Sequence, residues 1–411
     1  MNIAVIGLGS VGLTVVGAAS RAGHDVHAYE LNEVAIQKAQ DMILSETYSN
    51  DAYLFITLRA HLENIHFSSI YDENLRACDV KLICVDTINV KSAVQMLAPF
   101  IRPQDVVIIE STVSDRDCIL IRELLEMLTQ MKVKEDFILA FVPERVMEGA
   151  LLENFESMPR PIGTYDVASY QIVKKVYEGL GVMGELKYTD PRHASAAKDF
   201  ENAFRFVEIS IANEFADICR ENNLDFDKIR KLVNVKGHEM GYNELLQSGI
   251  GIGGPCIPMA ADIVAKMNWE NSDILRTAIE LNMGRPISIA DAILAILHKQ
   301  FGSLDDKRIA VFGATYRPDG SDSRDAPATE IITRLSHEIT PIYISDPLYK
   351  NGGVVEKLYP NEIEEEFDAV VVLVGHGIFK DLSMMKCNFF IDVTGVVKKY
   401  PKGAKRKRLQ V

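Results

Sequence analysis

The stretch Asn2-Ile3-Ala4-Val5-Ile6-Gly7-Leu8-Gly9-Ser10-Val11-Gly12, at the beginning of the sequence, decides the fold. Its apolar first half predicts a buried strand, and the run 13–22 after the glycines predicts a helix. In a strand–turn–helix unit of this kind Gly7 permits the tight turn, Gly9 lets the backbone approach a ligand, and Gly12 lets the helix pack closely on the strand. The spacing therefore predicts the first unit of a doubly wound α/β domain.

An anionic ligand is expected at this turn, because the first N–H groups of a helix have no backbone partner and attract negative charge such as a pyrophosphate. Glu30 follows the second predicted strand, 18 residues beyond Gly12, and can accept hydrogen bonds from both hydroxyls of a ribose. A carboxylate there repels a 2′-phosphate, and no Arg lies beside it, so NAD is favoured over NADP. The predicted NAD site comprises Gly7, Gly9, Ser10, Val11, Gly12 and Glu30.

Strand-like runs alternate with helical stretches in two parts of the 411-residue chain, a length that allows two or three domains. The first series is predicted at 2–6, 25–29, 80–85, 105–109 and 137–142, and the second at 308–312, 341–344, 369–374 and 389–393. The stretch 190–300 between them is helix-rich. Such alternation predicts parallel sheets with helices on both faces, so we expect two α/β domains joined by a helical middle.

The helical middle begins with a long apolar stripe. Its members recur at steps of three and four residues, which predicts a long, well-packed helix: Phe200, Phe204, Val207, Ile211, Phe215 and Ile218. Lys198 and Asn202 lie on another face of the same helix, where they can point together into a site. A solvated polar face is the alternative interpretation of these two residues.

Composition restricts the functions open to the chain. With 47% hydrophobic residues and no apolar run near the ~18 residues of a membrane span, the chain is predicted to be soluble. No signal-peptide pattern opens the sequence, so a cytoplasmic protein is expected. A net charge of −14 argues against non-specific nucleic-acid binding. Seven basic residues lie within 398–408, where a frayed, solvated terminus is favoured over a docking patch.

One of the six cysteines differs from the others in its surroundings. Cys256 ends the glycine-rich run 249–255 and is flanked by prolines, which stiffen its position while the glycines let backbone lie against a ligand. This context favours a nucleophile. Cys84 and Cys219 lie in apolar runs and are expected to be buried and inert. No Cys-x-x-Cys pair occurs, so neither a metal site nor disulfides are expected.

A nicotinamide site together with a nucleophilic cysteine suggests oxidation of an alcohol beyond the aldehyde. The thiolate adds to the aldehyde, a second oxidation gives a thioester, and water releases the acid. Each addition creates an oxyanion that a Lys and an amide can stabilise, and Lys198 with Asn202 can supply that pair.

A series of motifs recurs in a fixed order along the chain: Gly-x-Gly-x-x-Gly at 7–12, Glu110-Ser111-Thr112-Val113, Pro143-Glu144-Arg145, Lys198-x-x-x-Asn202, Gly253-Gly254-Pro255-Cys256-Ile257-Pro258, Tyr316-Arg317-Pro318-Asp319 and Asp322-Ser323-Arg324-Asp325-Ala326-Pro327. Over residues 1–397 the chain resembles the nucleotide-sugar 6-dehydrogenase family, whose members oxidise UDP-glucose, GDP-mannose and UDP-N-acetylmannosamine. The resemblance implies an NAD-binding Rossmann-like domain at 1–188, a helical central and dimerisation domain at 189–300, and an α/β nucleotide-sugar-binding domain at 301–411. It also implies a homodimer or higher homo-oligomer.

The resemblance assigns roles by position. Cys256 matches the family's nucleophile, Lys198 and Asn202 match its oxyanion-stabilising pair, and Glu144 matches the carboxylate that assists proton transfer and thioester hydrolysis. Positions near the nicotinamide, an ordered water or the rest of the cofactor are matched by Thr87, Thr112 and Glu148. Arg324 matches an arginine that reaches the neighbouring subunit's nucleotide sugar in the family, and Gly253 is also assigned to the nucleotide sugar. Arg317 and Arg324 suit an anionic diphosphate on an otherwise acidic chain, with an ordinary surface charge as the alternative for Arg317.

The sequence also departs from the family pattern. Four residues after the cysteine the family has an Asp preceded by a Lys, where this chain has Ala260 and Met259. Asp262, two positions later, points about 200° away on a helix, so simple replacement is not expected. Further departures are Ala35, Asp86 and the acid-free run Ala194-Ser195-Ala196-Ala197. The chain is therefore interpreted as a divergent member.

The choice of sugar rests on two short motifs. Pro143-Glu144-Arg145-Val146 and Cys256-Ile257-Pro258 resemble the branch that acts on UDP-N-acetylhexosamines, whereas Glu148-Gly149 and Pro255 do not. UDP-N-acetyl-D-mannosamine is favoured, with UDP-glucose and UDP-N-acetylglucosamine as alternatives. A two-electron hydroxyacid-type dehydrogenase and a non-catalytic nucleotide-sugar-binding protein remain open.

Overall fold

The computed structural model describes residues 1–45, 51–147, 149–240, 244–320, 322–348 and 366–411, with the backbone alone at 237–240. It consists of two compact units, Met1–Asp199 and Phe200–Val411. Within the described ranges, no helix combines the length and the apolar character that a membrane crossing requires.

The first unit is built on an eight-stranded sheet in the order β3-β2-β1-β4-β5-β6-β7-β8. The strands are β1 (Asn2–Ile6), β2 (Asp25–Tyr29), β3 (Ile65–Ser68), β4 (Val80–Ile83), β5 (Val106–Ile109), β6 (Ile138–Phe141), β7 (Arg160–Thr164) and β8 (Leu186–Thr189). Neighbouring strands are parallel except β6 and β7, which are antiparallel. The order reverses between β1 and β4, and this switch point is where doubly wound sheets bind ligands.

Eight helices surround this sheet in the described part of the unit: α1 (Ser10–Arg21), α2 (Glu33–Leu44), α3 (Ala52–Ala60), α4 (Glu73–Ala77), α5 (Val90–Leu97), α6 (Asp115–Thr129), α7 (Leu151–Ser157) and α8 (Val167–Gly179). Successive residues of a strand enter opposite cores, as Val5 and Ile6 do in β1. Because both faces are covered, the central strands β1, β5 and β6 are buried and recognisable as short apolar runs.

The predicted parallel α/β sheet is confirmed, and all five strands predicted for this region are present. Sequence inspection missed β3, β7 and β8. In β8 every residue is at least partly exposed, so no apolar run marks it. β7 begins with Arg160 and Pro161, residue types that are uncommon in strands.

The second unit begins in a helical segment formed by α9 (Pro191–Glu221), α10 (Phe226–Met240), α11 (Ile257–Met267) and α12 (Asp273–Phe301). The predicted long helix is confirmed as α9, but its apolar stripe is not packed inside the chain. Phe204 is 58% exposed, and most of the stripe is exposed with it. The buried side is instead made by Ala203, Phe206, Ala212 and Ala216, whose mostly small side chains let neighbouring helices approach closely.

The second sheet contains β9 (Ile309–Phe312), β10 (Ile342–Ser345), β11 (Glu366–Val372), β12 (Lys386–Asp392) and β13 (Lys405–Arg408), all parallel in the order β10-β9-β11-β12-β13. One further helix, α13 (Pro327–Ser336), packs against α12 and the sheet core. All four strands predicted for this region are present.

The expectation of a frayed basic terminus is wrong. Residues Lys405–Arg408 form the edge strand β13, with their basic side chains exposed. Leu409 and Val411 are buried in the core of the sheet, and Arg220 donates from Nη1 to the carbonyl of Gln410 at 3.0 Å. Two apolar side chains therefore anchor the terminus, while the lysines and arginines protect the sheet edge from further pairing.

Candidate active site

The glycine turn after β1 has the geometry that a bound pyrophosphate requires. Gly7 has φ +95°, and a Cβ on Gly12 would lie 1.9 Å from the Gly7 carbonyl oxygen, so α1 can start only with glycine there. At Gly9 a Cβ would meet nothing within 4 Å. The space above the turn is therefore open, and the N-terminus of α1, which has no side-chain cap among the described residues, faces it.

Glu30 is held over this turn. Its Oε2 accepts a hydrogen bond from the Leu8 N–H at 3.2 Å, and its Oε1 accepts one from the Asn32 N–H at 3.0 Å. The last residues of β1 and β2, Ile6 and Tyr29, pair in register, which brings the turn and the carboxylate to the same sheet edge. The arrangement fits the pyrophosphate and one ribose of NAD.

Two threonines predicted near the cofactor are in contact. The Thr87 hydroxyl donates to the Thr112 carbonyl at 2.8 Å, and the neighbouring Ser111 hydroxyl donates to the Val85 carbonyl at 2.6 Å. These bonds tie the loop after β4 to the loop after β5. Both loops leave the sheet at the edge that carries the glycine turn, since Ile83 pairs in register with Ile6.

Glu144 lies in a buried cluster that sequence analysis did not anticipate. Its Oε2 accepts from Arg160 Nη1 at 3.3 Å, and its backbone N–H donates to the Glu110 carbonyl at 3.1 Å. Arg160 is fully buried and stacks on the rings of Phe155 and Tyr177. Glu148, the neighbouring predicted residue, lies outside the described residues.

Glu110 completes the cluster. Tyr177 donates its hydroxyl to Oε1 of Glu110, whereas Oε2 has no hydrogen-bond partner among the described residues. Burial, followed by the facing charge of Glu144, raises the pKa of Glu110 to about 8. The raised pKa favours the protonated form of Glu110, and Arg160 forms a buried ion pair with Glu144. The sequence signal for this cluster was the position of Glu110, an acid that directly follows the buried strand β5.

Lys198 and Asn202 lie one turn apart on α9, both partly buried. Among the described residues neither makes a hydrogen bond or an ion pair within the chain, which leaves both polar ends available to a ligand. The adjacent Asp199 is buried, and burial, with the charges of Asp115 and Asp117, raises its pKa to about 7. No motif or periodicity predicted that Asp199 would be buried.

Cys256 is exposed, whereas the other five cysteines, all in the described part of the chain, are buried. It caps the N-terminus of α11, where the helix dipole favours a negatively charged sulfur. Just before it, a Cβ on Gly253 would lie 2.5 Å from the Asp325 carbonyl oxygen, and one on Gly254 would lie 2.9 Å from the Tyr316 ring. Residues 249–254, just before Cys256, are called the cysteine loop. The glycines let this loop lie directly on the 316–327 segment.

That segment carries the two arginines predicted to bind the nucleotide sugar. Arg324 donates from Nε and Nη2 to the carboxylate of Asp322, at 2.7 Å for the shortest bond, so its guanidinium is oriented. The Arg317 guanidinium lies 5.9 Å from the centre of the Tyr316 ring. Burial, then the charges of Asp322 and Cys256, raises the pKa of Tyr316. Cys256 and the arginine segment thus belong to one site.

The positions that depart from the family pattern are also resolved. Ala260 is buried in α11, and Asp262 is partly exposed on the same helix, where it pairs with Lys266 at 2.5 Å. Asp262 is engaged by Lys266, one turn along the same helix, and does not occupy the position of the family's acid, which is Ala260 here.

Three family models match the chain in order. They are the NAD binding domain of the UDP-glucose/GDP-mannose dehydrogenase family at residues 1–181, its central domain at 192–283 and its UDP binding domain at 310–399. The chain belongs to this family. Membership makes it an NAD-dependent oxidoreductase and identifies a UDP-sugar as its class of substrate.

Individual relatives agree with this membership over almost the whole chain. The UDP-N-acetyl-D-mannosamine dehydrogenase of Methanocaldococcus jannaschii is 27% identical over 92% of this chain and 87% of its own length. The UDP-glucose 6-dehydrogenase of Rickettsia bellii is 29% identical over 97% of this chain and 96% of its own. The solved UDP-N-acetyl-D-mannosamine dehydrogenase of Pyrococcus horikoshii superposes with a TM-score of 0.86 at 25% identity, covering 100% and 99% of the two chains.

Proposed function

We propose that this dehydrogenase oxidises the C6 hydroxyl of UDP-N-acetyl-D-mannosamine to the uronate, in two steps that together remove four electrons. The observation that carries the proposal is Cys256, an exposed thiol at a helix N-terminus, on a glycine loop that lies against the arginine segment. An enzyme that stops at the aldehyde has no use for such a nucleophile.

Bound NAD would accept the hydride in each oxidation. The residues that would hold it are Gly7, Gly9, Ser10, Val11, Gly12 and Glu30, with Thr87 and Thr112 beside it. The Cys256 thiolate adds to the aldehyde carbon to form a thiohemiacetal, and oxidation of that adduct leaves a thioester. Water then breaks the thioester carbon–sulfur bond, which releases the uronate and restores the thiol.

Other residues assist these steps. Lys198 and Asn202 stabilise the oxygen that becomes negatively charged in each addition. Glu144, whose charge Arg160 balances, takes up or returns the proton in oxidation and hydrolysis. Thr112 and Glu148 hold the attacking water near the nicotinamide. Gly253, Arg317 and Arg324 bind the nucleotide sugar, the arginines through its diphosphate.

The identity of the sugar is the most specific part of the proposal. Relatives named as UDP-N-acetyl-D-mannosamine dehydrogenases and the Cys256-Ile257-Pro258 motif favour UDP-N-acetyl-D-mannosamine. A relative named as a UDP-glucose 6-dehydrogenase is comparably similar, so UDP-glucose is the second candidate, and UDP-N-acetylglucosamine the third.

The test is incubation of the protein with NAD and each UDP-hexose or UDP-N-acetylhexosamine, followed by product mass and NADH counting. We expect two NADH per UDP-N-acetylmannosaminuronate, and no uronate from Cys256→Ser. One NADH per product would indicate a two-electron dehydrogenase. Tight binding without turnover of any sugar would indicate a non-catalytic binding protein.

We also propose a homodimer formed through the exposed stripe of α9. The outward-facing members Phe200, Phe204, Ile211, Phe215 and Ile218 form a continuous apolar face on one chain. Contiguous apolar patches of this kind mark protein interfaces. Phe204→Glu should shift the mass measured by light scattering from dimer to monomer, whereas Leu128→Glu, an exposed apolar control in the first unit, should leave it unchanged. The three-domain division and the cytoplasmic location stay predictions.

A further inference from the structure

The segment that leads to Cys256 has no regular secondary structure of its own. Residues 244–255 form neither helix nor strand, so their backbone N–H and C=O groups lack ladder partners. Such groups need other partners where water is excluded. Four side chains from α9, α10 and α12 provide these hydrogen-bond partners. We call them the backbone clamp: Asn213, Asn234, Asn282 and Arg285.

Asn282 binds both polar groups of one peptide position. Its Oδ1 accepts from the Ile252 N–H at 2.7 Å, and its Nδ2 donates to the Ile252 carbonyl at 3.0 Å. A side-chain amide carries one acceptor and two donors, so Asn282 does here what a neighbouring strand does in a sheet. No smaller or apolar residue can replace both bonds.

A second attachment lies three residues earlier. The Gly249 N–H donates to Oδ1 of Asn213 at 2.8 Å, and the Gly249 carbonyl accepts from Arg285 Nε at 2.7 Å. Arg285 is oriented in turn by Asp217, which accepts from its Nη1 at 2.7 Å. Asn213 and Arg285 are both buried, so water does not compete for these bonds.

Asn234 holds the start of the segment in the same manner. Its Oδ1 accepts from the Leu245 N–H at 2.8 Å, and its Nδ2 donates to the Leu245 carbonyl at 3.1 Å. The clamp therefore fixes the loop at three points, of which Ile252 is the nearest to Cys256. Beyond Ile252, Gly253 and Gly254 lie against Tyr316 and the 325–327 backbone.

We propose that the backbone clamp positions the Cys256 sulfur for attack, with Asn282 as the positioning residue closest to it. The inference rests on the proposed function, in which Cys256 is the nucleophile. Ile252 is fixed by Asn282 on one side, and Cys256 is fixed as the cap of α11 on the other. A loop of three residues between two fixed points transmits a displacement at Ile252 to the sulfur.

The test uses Asn282→Ala, which removes both bonds, and Asn282→Asp, which keeps the shape and the acceptor for the Ile252 N–H but replaces the donor to the Ile252 carbonyl with an oxygen. Asn222→Ala is the matched control, because Asn222 is exposed, directly follows α9, and donates to the Ile218 carbonyl in the last turn of that helix. Three quantities are measured on the full-length protein: amide hydrogen exchange at Ile252, kcat and KM with NAD and the UDP-sugar, and the rate of Cys256 alkylation by iodoacetamide.

In Asn282→Ala, exchange at Ile252 should accelerate by at least about tenfold, because the amide loses the acceptor that Asn282 provides. We expect kcat to fall by about 10- to 100-fold, as for a misplaced reacting group, while KM for NAD stays within twofold. The alkylation rate of Cys256 should change with kcat. Asn282→Asp should lower kcat as well, because a carboxylate cannot donate to the Ile252 carbonyl and repels its oxygen. Asn222→Ala should match the wild type in every measurement.

Wild-type kcat and alkylation rate in a folded Asn282→Ala protein with fast Ile252 exchange would overturn the inference, since the clamp would then serve stability alone. Unchanged Ile252 exchange would overturn it as well, because the bonds would not exist in solution. The proposed function fails separately, if Cys256→Ser still produces uronate at the wild-type rate.

Discussion

The glycine turn at 7–12 and the cysteine loop at 249–254 are both rich in glycine, but they are held in different ways. The turn is fixed by its own strand and helix, β1 and α1, which lie directly before and after it. The loop is fixed by side chains up to 36 residues away in sequence, such as Asn213 and Arg285. Local structure therefore suffices for the first region, whereas the second depends on tertiary contacts.

The largest effect is expected in the first region, from Gly12→Ala. Its Cβ would overlap the Gly7 carbonyl oxygen at 1.9 Å, so α1 must shift away from β1. We expect a loss of about 3 kcal/mol or more in the free energy of unfolding, together with loss of NAD binding. Urea denaturation and NAD titration measure both. Gly9→Ala is the control, with unchanged stability but weaker NAD binding; equal stabilities for the two variants would refute the close packing.

In the cysteine loop the corresponding change is Gly253→Ala. A Cβ there would lie 2.5 Å from both the Asp325 carbonyl oxygen and Pro327 Cδ, whereas a Cβ on Gly249 would meet nothing within 4 Å. Gly253→Ala should cost about 1–3 kcal/mol of stability and lower kcat, while NAD binding is retained. Steady-state kinetics measure kcat, and NAD titration measures the affinity for NAD. An equally damaging Gly249→Ala would show that loop flexibility, rather than contact, is what the glycines provide.

A smaller effect, visible as a pH dependence, is expected beside the first region at Glu110. Its pKa is raised from 4.5 to about 8, so the folded chain keeps a proton that the unfolded chain releases. The free energy of unfolding should therefore fall as pH rises from 4.5 to 8, by at most about 1.4 kcal/mol per unit, and level off above 8.

Glu110→Gln keeps the shape of the protonated acid and removes its titration. Denaturation of wild type and variant across this pH range should give a steeper decline for the wild type. Parallel curves would mean that Glu110 is ionised in the folded protein and that Tyr177 and Arg160 outweigh its burial.

The smallest effect is expected from Asp262→Asn, on the outer side of the helix that Cys256 caps. The Asp262–Lys266 pair is partly exposed, and pairs of this kind contribute only about 0.5 kcal/mol. We expect kcat within about twofold of the wild type, because such a surface contact does not reach the reacting atoms. A loss of thioester hydrolysis in this variant would instead show that Asp262 replaces the acid missing at Ala260.

Much of the fold could be predicted from the sequence, because it depends on local patterns. Apolar runs mark β1 and β4, and a glycine spacing with an acid at Glu30 marks the turn and the cofactor. The edge strand β8 could not be found, since none of its residues is fully buried. The stripe on α9 was predicted correctly as helical but assigned to the wrong environment, because periodicity alone does not tell a buried apolar face from an exposed one.

The candidate site also contains residues that the sequence predicted and residues that it did not. The residues that the family motifs carry were identified from the sequence, and their roles stay predictions. The residues that support them were missed: Arg160 under Glu144, and Asn282 under the cysteine loop. A buried Arg or Asn looks like any surface residue in sequence, and only the fold shows that its partners are backbone groups or acids far along the chain.

The most direct test of the account is the count of NADH per molecule of UDP-N-acetyl-D-mannosamine consumed, measured with wild type and with Cys256→Ser. The account predicts two NADH and a uronate for the wild type, and no uronate from the variant. One NADH per sugar in the wild type, or wild-type uronate production by Cys256→Ser, would contradict it.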